Sequence, residues 1–219
     1  MKNSVELLSH YGDDVMISNV ARVSYGKDSS NYTEEQNSKL INYLVNHKHT
    51  SPFRHPQLQF RIKCPIYVER QLHKHQIGIS VNSISGRYVD FSDSYYEIPS
   101  WGWRKQSTSS KQGSEGLLSE ERSYQANYVQ ESVISHCKMA YETLLSLGVS
   151  KEQARSVLPL SLETEFIWTG SLLAFFHMCN LRLKEDTQKE TRDVVSDMLE
   201  LVKNIDGNPF EHTLKAFKL

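Results

Sequence analysis

The sequence is short of the features that mark secreted, membrane-bound or metal-stapled proteins. It has three cysteines, Cys64, Cys137 and Cys179, an odd number at wide spacing with no CxxC pair. That disfavours a disulfide framework or a structural zinc ribbon and fits a reducing, cytoplasmic setting. No apolar run approaches the ~20 residues needed to cross a bilayer, so no membrane partner is expected. The opening stretch MKNSVELLSHYGDD has no apolar segment of its own and reads as lacking a signal peptide. An excess of one charge is missing too: 25 Lys and Arg stand against 26 Asp and Glu, a formal net charge of −1. A general nucleic-acid binder needs a strongly basic face, so no nucleic-acid partner is expected.

What is present is enough to fold. The chain has 219 residues, of which 38% are hydrophobic and 23% charged. This is the range of one large domain with a single core, and residues 1–219 are read as one domain.

The most unusual stretch is residues 71–88, QLHKHQIGISVNSISGRY. It sets His73, Lys74, His75, Gln76, Ser80, Asn82, Ser83, Ser85 and Arg87 among glycines and few apolar residues. Donors at close spacing, with glycine where a ligand must approach the backbone, suit phosphate or heterocycle binding. The plainer reading is a polar loop between a helix and a strand.

Around it the pattern is mixed. Thr33 with Gln36 forms a capping box for a helix that stops near His47. Leu58, Phe60, Ile62 and Cys64 alternate with polar residues, the mark of a half-buried strand. Pro65 suits the first turn of a following helix. Residues 87–98 read as a strand or hairpin, and residues 100–116 as a mobile surface loop pinned by Trp101 and Trp103. A long helix over 119–147 ends at Gly148. Ser150 and Gln153 form a second capping box, residues 162–169 are strand-like, and helices are predicted over 171–183 and 187–205. Strands and helices mix without regular alternation, an α/β (α+β mixed) composition.

Taken together these segments resemble the flavin-dependent thymidylate synthases, over residues 21 to about 190. The family signature is Arg-His-Arg, two residues, Ser, one, Asn, two, Ser, one, Arg. Here Ser80, Asn82, Ser85 and Arg87 keep the Ser-Asn-Ser-Arg spacing, and Lys74-His75-Gln76 takes the Arg-His-Arg place with one extra residue before Ser80. Ala21 to Ser24 and His49-Thr-Ser-Pro-Phe-Arg-His55 are similar to upstream family elements. Ala154-Arg-Ser-Val-Leu-Pro159, Asn180-Leu-Arg182 and Thr187-Gln-Lys-Glu190 are similar to downstream ones. The five elements stand in the family's order.

The resemblance implies a fold with a central, mostly antiparallel sheet and flanking helices, and a homotetramer with shared active sites. It implies FAD as cofactor, NADPH and methylenetetrahydrofolate as co-substrates, and dUMP as the nucleotide. Carried over by position, Gln71, Lys74, Ser83, Ile84, Ser85, Gly86, Arg87, Arg155 and Arg182 would hold dUMP, with Arg182 catalytic through its action on the uracil ring. Ser24, His49, Ser51, Lys74, His75, Gln76, Ser83, Ser171 and His177 would contact FAD. Arginine is the usual partner of a phosphate dianion.

The sequence also departs from the family. Ser83 replaces a Glu, Arg54 replaces the Glu of Pro-Phe-Glu-His, and Lys74 and Gln76 replace two arginines. The expected product is dTMP; a 5-hydroxymethyl-dUMP product or a non-catalytic nucleotide- or flavin-binding paralogue are the alternatives. His47, His49, His55, His73 and His75 cluster in sequence, but without carboxylate or thiolate at ligand spacing no metal site is expected. Cys64 ends the apolar face of its strand and is read as a buried small hydrophobe rather than a nucleophile.

Overall fold

The computed structural model describes residues 3–89, 94–109, 111 and 113–219. Its elements run β1 (Ser4–Tyr11), α1 (Asp14–Arg22), α2 (Glu34–Asn46), β2 (Gln57–Pro65), α3 (Ile66–Leu72), β3 (Ile79–Ser83), β4 (Arg104–Gln106), β5 (Ser114–Leu117), α4 (Glu120–Ser146), α5 (Lys151–Ala154), β6 (Glu163–Ser171), α6 (Leu172–Arg182), α7 (Lys189–Lys203) and α8 (Glu211–Phe217). Strands β1, β2, β6 and β3 form a four-stranded sheet in that order, antiparallel throughout, and β4–β5 is a separate hairpin. The chain is thus the mixed α/β fold that its pattern of elements indicates, with the antiparallel sheet that the resemblance implies.

The alternation in β2 does what it predicts. Leu58, Phe60, Ile62 and Cys64 are fully buried, and their polar neighbours are not. They meet Phe166 and Trp168 of β6, Phe175, Phe176 and Met178 of α6, and Val194, Val195, Met198 and Val202 of α7 in one hydrophobic cluster. Thr33 caps α2, and Gln36 completes the box by accepting from the Thr33 amide. Gly148 sits at φ 85°, the left-handed position that ends α4.

Other expectations fail for local reasons. The Ser150–Gln153 box does not form. The Gln153 and Ala154 amides bond to the Ser150 carbonyl instead, because α5 is a single turn that tightens into a 3-10 turn at Arg155–Val157. Residues 104–106 and 114–117, expected in a mobile loop, pair as β4 and β5. Trp103 anchors that hairpin through its indole N–H to Asn127 of α4, whereas Trp101 is 73% exposed and pins nothing. Of the strand or hairpin expected over 87–98, residues 90–93 lie outside the described residues. Residues 86–88 form a turn, and Tyr95 makes one bridge, to Leu162. Strand β1 and helix α8 are additions that the sequence pattern does not announce.

Candidate active site

Pro65 ends β2 and presets φ for the first turn of α3. This short helix carries Gln71 to the N-terminal end of α7. There the Gln71 amide is held on both sides: its Nε2 donates to Gln188 Oε1, and its Oε1 accepts from Thr191 Oγ1 at 3.0 Å. Arg182, the last residue of α6, donates from Nη2 to the Gln71 carbonyl at 3.2 Å and from Nε to His75 Nε2 at 2.9 Å. Gln71, Arg182, Lys184, Asp186 and Gln188 line an open groove of about 660 Å³. Two amides, two cations and a carboxylate line it, with the neutral His75 imidazole behind Arg182, a set suited to a planar, hydrogen-bonding ligand.

His75 must be neutral at its Nε2, since a guanidinium only donates. Burial, then the charges of Arg182 and His177, hold its pKa below the ordinary imidazole range. His177 itself is exposed, turned away from its buried neighbours Phe175, Phe176 and Met178, and so is not a core histidine.

A second group lies across β3. Ser83, at the exposed strand end, donates from Oγ to Glu69 Oε1 at 3.0 Å. The chain then turns: the Ile84 amide bonds to the Glu165 carbonyl, Ser85 Oγ accepts from the Arg87 amide, and the Tyr88 and Val89 amides close on the Ser85 carbonyl. Arg87 stays exposed beside the Tyr88 ring. Gly86 is buried and shares a small cavity of about 110 Å³ with Arg155, Ile66, Tyr141 and Leu162. So the nucleotide residues fall into two groups within one chain: Gln71 with Arg182 in the groove, and Gly86 with Arg155 in the cavity. Gly78, at φ 74°, serves the protein rather than a ligand, because a Cβ there would lie 3.0 Å from Ser171 Oγ.

The flavin set divides as well. Ser24, His49, Ser51, Lys74 and Gln76 are exposed on turns between elements, and the 3-10 turn carrying Ser51 packs on α1 and α6. His49 lies edge-on to Tyr43 and His47. Ser171 differs: it is buried, and its hydroxyl caps α6 by accepting from the Ala174 amide.

With this geometry in view, comparison with known proteins is decisive. Residues 6–206 match the family described as thymidylate synthase complementing protein. The chain belongs to this family. It is 42% identical over 203 residues to a flavin-dependent thymidylate synthase of Thermus thermophilus, covering 92% of this chain and 72% of that one. It is 38% identical to the flavin-dependent thymidylate synthase of Kosmotoga olearia, covering 93% and 86%. Among solved structures it is similar to the UMP/dUMP methylase PolB from Streptomyces cacaoi bound with 5-Br dUMP, with TM-score 0.86, 25% identity, and coverage of 99% and 95%.

As a family member the chain carries groups that its motifs alone do not point to. Arg104 of β4 donates to both carboxylate oxygens of buried Glu190, at 2.8 and 3.0 Å, and Glu190 accepts from Gln188 Nε2 at 3.0 Å. Burial raises the Glu190 pKa, but Arg104 outweighs it and the carboxyl rests below its usual range. The hairpin is thereby tied to the partners of Gln71. Gln188 and Glu190 belong to the Thr187–Glu190 element; Arg104 has no local signal. Of the family departures, Arg54 bonds Thr50 Oγ1 at the surface, and Lys74 and Gln76 face solvent. Cys64 is fully buried, and burial, then the Glu69 charge, raises its thiol pKa, which disfavours the nucleophilic thiolate. Among the described residues no cluster of His, Cys, Asp and Glu could hold a metal ion, and no helix is long and apolar enough to cross a membrane.

Proposed function

We propose that the protein transfers a one-carbon unit from methylenetetrahydrofolate to C5 of dUMP, giving dTMP, with FAD as cofactor and NADPH as reductant. The observation that carries this reading is the Gln71–Arg182–His75 groove, in a chain whose relatives are named flavin-dependent thymidylate synthases.

The chain's residues divide the work as follows. Arg182, oriented by His75 and the Gln71 carbonyl, faces the groove with its remaining N–H groups and holds the electron-rich edge of the uracil ring. Gln71, clamped by Gln188 and Thr191, fixes the ring's orientation. Ser83, Ile84, Ser85, Gly86 and Arg87, with Arg155, receive the nucleotide's ribose and phosphate, where a turn amide and two guanidinium groups suit a dianion. The donor set fits a flavin dinucleotide: Lys74 gives a cation for its diphosphate, and Ser24, His49, Ser51, Gln76 and His177 give solvent-facing donors and rings. When bound, the flavin supplies hydride.

The two groups of nucleotide residues line separate cavities of one chain, which supports active sites completed by neighbouring copies. Helix α4 supports the same reading. It buries only Ser123 and Tyr141 and exposes Tyr124, Tyr128, Val129, Val133 and Met139, apolar side chains that neighbouring copies would cover in a homotetramer.

The test is direct. Purified protein is assayed for flavin absorbance with and without dUMP. It is then incubated with dUMP, methylenetetrahydrofolate, FAD and NADPH, and the nucleotide is weighed by mass spectrometry. A product of dTMP mass is expected. A product heavier by one oxygen would replace it with 5-hydroxymethyl-dUMP, and no flavin or dUMP response would sink the reading.

A further inference from the structure

Ser83 removes a carboxylate from the strand end, yet a carboxylate lies one hydrogen bond away. Glu69, on α3, accepts the Ser83 Oγ proton at 3.0 Å. It is no loose surface group: its side chain is 15% exposed, and His73 Nδ1 lies 3.8 Å from the same Oε1. The His73 ring is in turn set edge-on to Phe166 of β6 at 5.1 Å. The carboxylate is thus largely enclosed, with Ser83 of β3 on one side and the ring that caps its own helix on the other.

The consequence follows from proton counting. A serine hydroxyl has one proton and two lone pairs, and an ionised carboxylate can only accept. Once the proton points at Glu69, Oγ can offer nothing but lone pairs to its other neighbours. The negative charge behind the bond also strengthens Oγ as an acceptor. The pair stands where the turn through Gly86 and Arg87 begins, with the Ile84 amide anchored to the Glu165 carbonyl.

We infer that Glu69 is a positioning residue for the nucleotide: through its hydrogen bond it fixes Ser83 as a one-way acceptor for the ribose O–H of dUMP. The carboxylate sits on the neighbouring helix, and the serine carries its effect to the strand end. This rests on the dUMP reading given above. A purely structural role for Glu69, favouring the first turn of α3, would move stability alone.

The experiment uses the full chain, with dUMP affinity measured by calorimetry beside kcat, KM and thermal unfolding. Glu69→Gln keeps the shape but lets an amide donate to Ser83, freeing the hydroxyl's direction. It should weaken dUMP binding about tenfold, the scale of one charge-assisted hydrogen bond. Ser83→Ala should do the same, and it decides the matter even if Glu69→Gln folds poorly. Glu69→Ala combined with Ser83→Glu returns the carboxylate to the strand and should bind dUMP closer to the parent than Glu69→Ala does. A stability role on α3 cannot produce that rescue. Parental affinity in Glu69→Gln or in Ser83→Ala, or a double variant no better than Glu69→Ala, overturns the inference while dUMP binding by the parent stands. Failure of the parent to bind dUMP removes the nucleotide reading and this inference together.

Discussion

Arg182 donates its Nε–H to Nε2 of His75 across 2.9 Å. The two residues are more than a hundred positions apart, and the bond fixes the imidazole as neutral with its proton on Nδ1. Burial, then Arg182 and His177, lowers the His75 pKa accordingly.

A pH dependence follows from that lowered value. In the unfolded chain the imidazole titrates near about 6.5. As pH falls through that value the unfolded state takes up a proton that the folded state refuses, so stability declines until the lower folded pKa is passed. Urea midpoints across this range should fall with acid, and the His75→Asn variant should fall less steeply. In Arg182→Met the His75 ring, followed by NMR titration, should take its proton at higher pH than in the parent.

Arg182→Ala should weaken dUMP binding by about 2 kcal/mol, the size of a lost hydrogen bond to a charged group. That is roughly thirtyfold in Kd. Calorimetry on folded variant decides it, and unchanged binding and turnover would remove Arg182 from the site.

Arg182 and Arg155 line separate cavities of one chain. If neighbouring copies complete each site, Arg182→Ala and Arg155→Ala proteins, each impaired at low dUMP, should recover part of the activity once their subunits exchange. In mixed assemblies one site in each affected pair then has both arginines intact. No recovery after verified exchange argues for sites built within one chain.

Arg104→Ala should destabilise the fold by about 3–5 kcal/mol, because it leaves Glu190 as an uncompensated buried charge. The Glu190 side chain is only 4% exposed. In the parent its lowered pKa adds stability that is present above the unfolded carboxyl value and lost as pH falls through the folded one. In the variant, burial is no longer outweighed and the Glu190 pKa moves up, so protonation relieves the buried charge and the stability gap to the parent should narrow as pH falls. Thermal unfolding of both proteins across the acid range measures this.

Cys64→Ala should lower stability by up to ~2 kcal/mol through the small cavity it leaves, and keep turnover per folded molecule. Loss of turnover with dUMP still bound would reinstate a cysteine in the chemistry.

Much of this architecture is legible in single segments. The alternation of Leu58, Phe60, Ile62 and Cys64, the Thr33–Gln36 box and Gly148 are local signals, and each acts over a few residues. Strand β1 was not legible, because a bulge between Leu7 and Ser9 breaks its alternation where it pairs with β2. Helix α8 is only seven residues long, too short for periodicity to stand out, and it is held by Phe210 and Leu214 in the core. The β4–β5 hairpin lies off the main sheet with no apolar face, so its residues read as loop.

By itself the sequence determined the class of fold, the family, and the residue types available for a nucleotide and a flavin, since these depend on local pattern and on motifs in order. Only the tertiary structure decided which of those residues meet. It joined Arg182 to His75 and Gln71, turned Ser171 inward as a helix cap while leaving His177 outside, and separated Arg155 from Arg182. It also recruited Arg104 and Glu69, which carry no motif. Hydrogen bonds and burial act between side chains brought close by packing, and packing brings together residues that sequence spacing keeps apart.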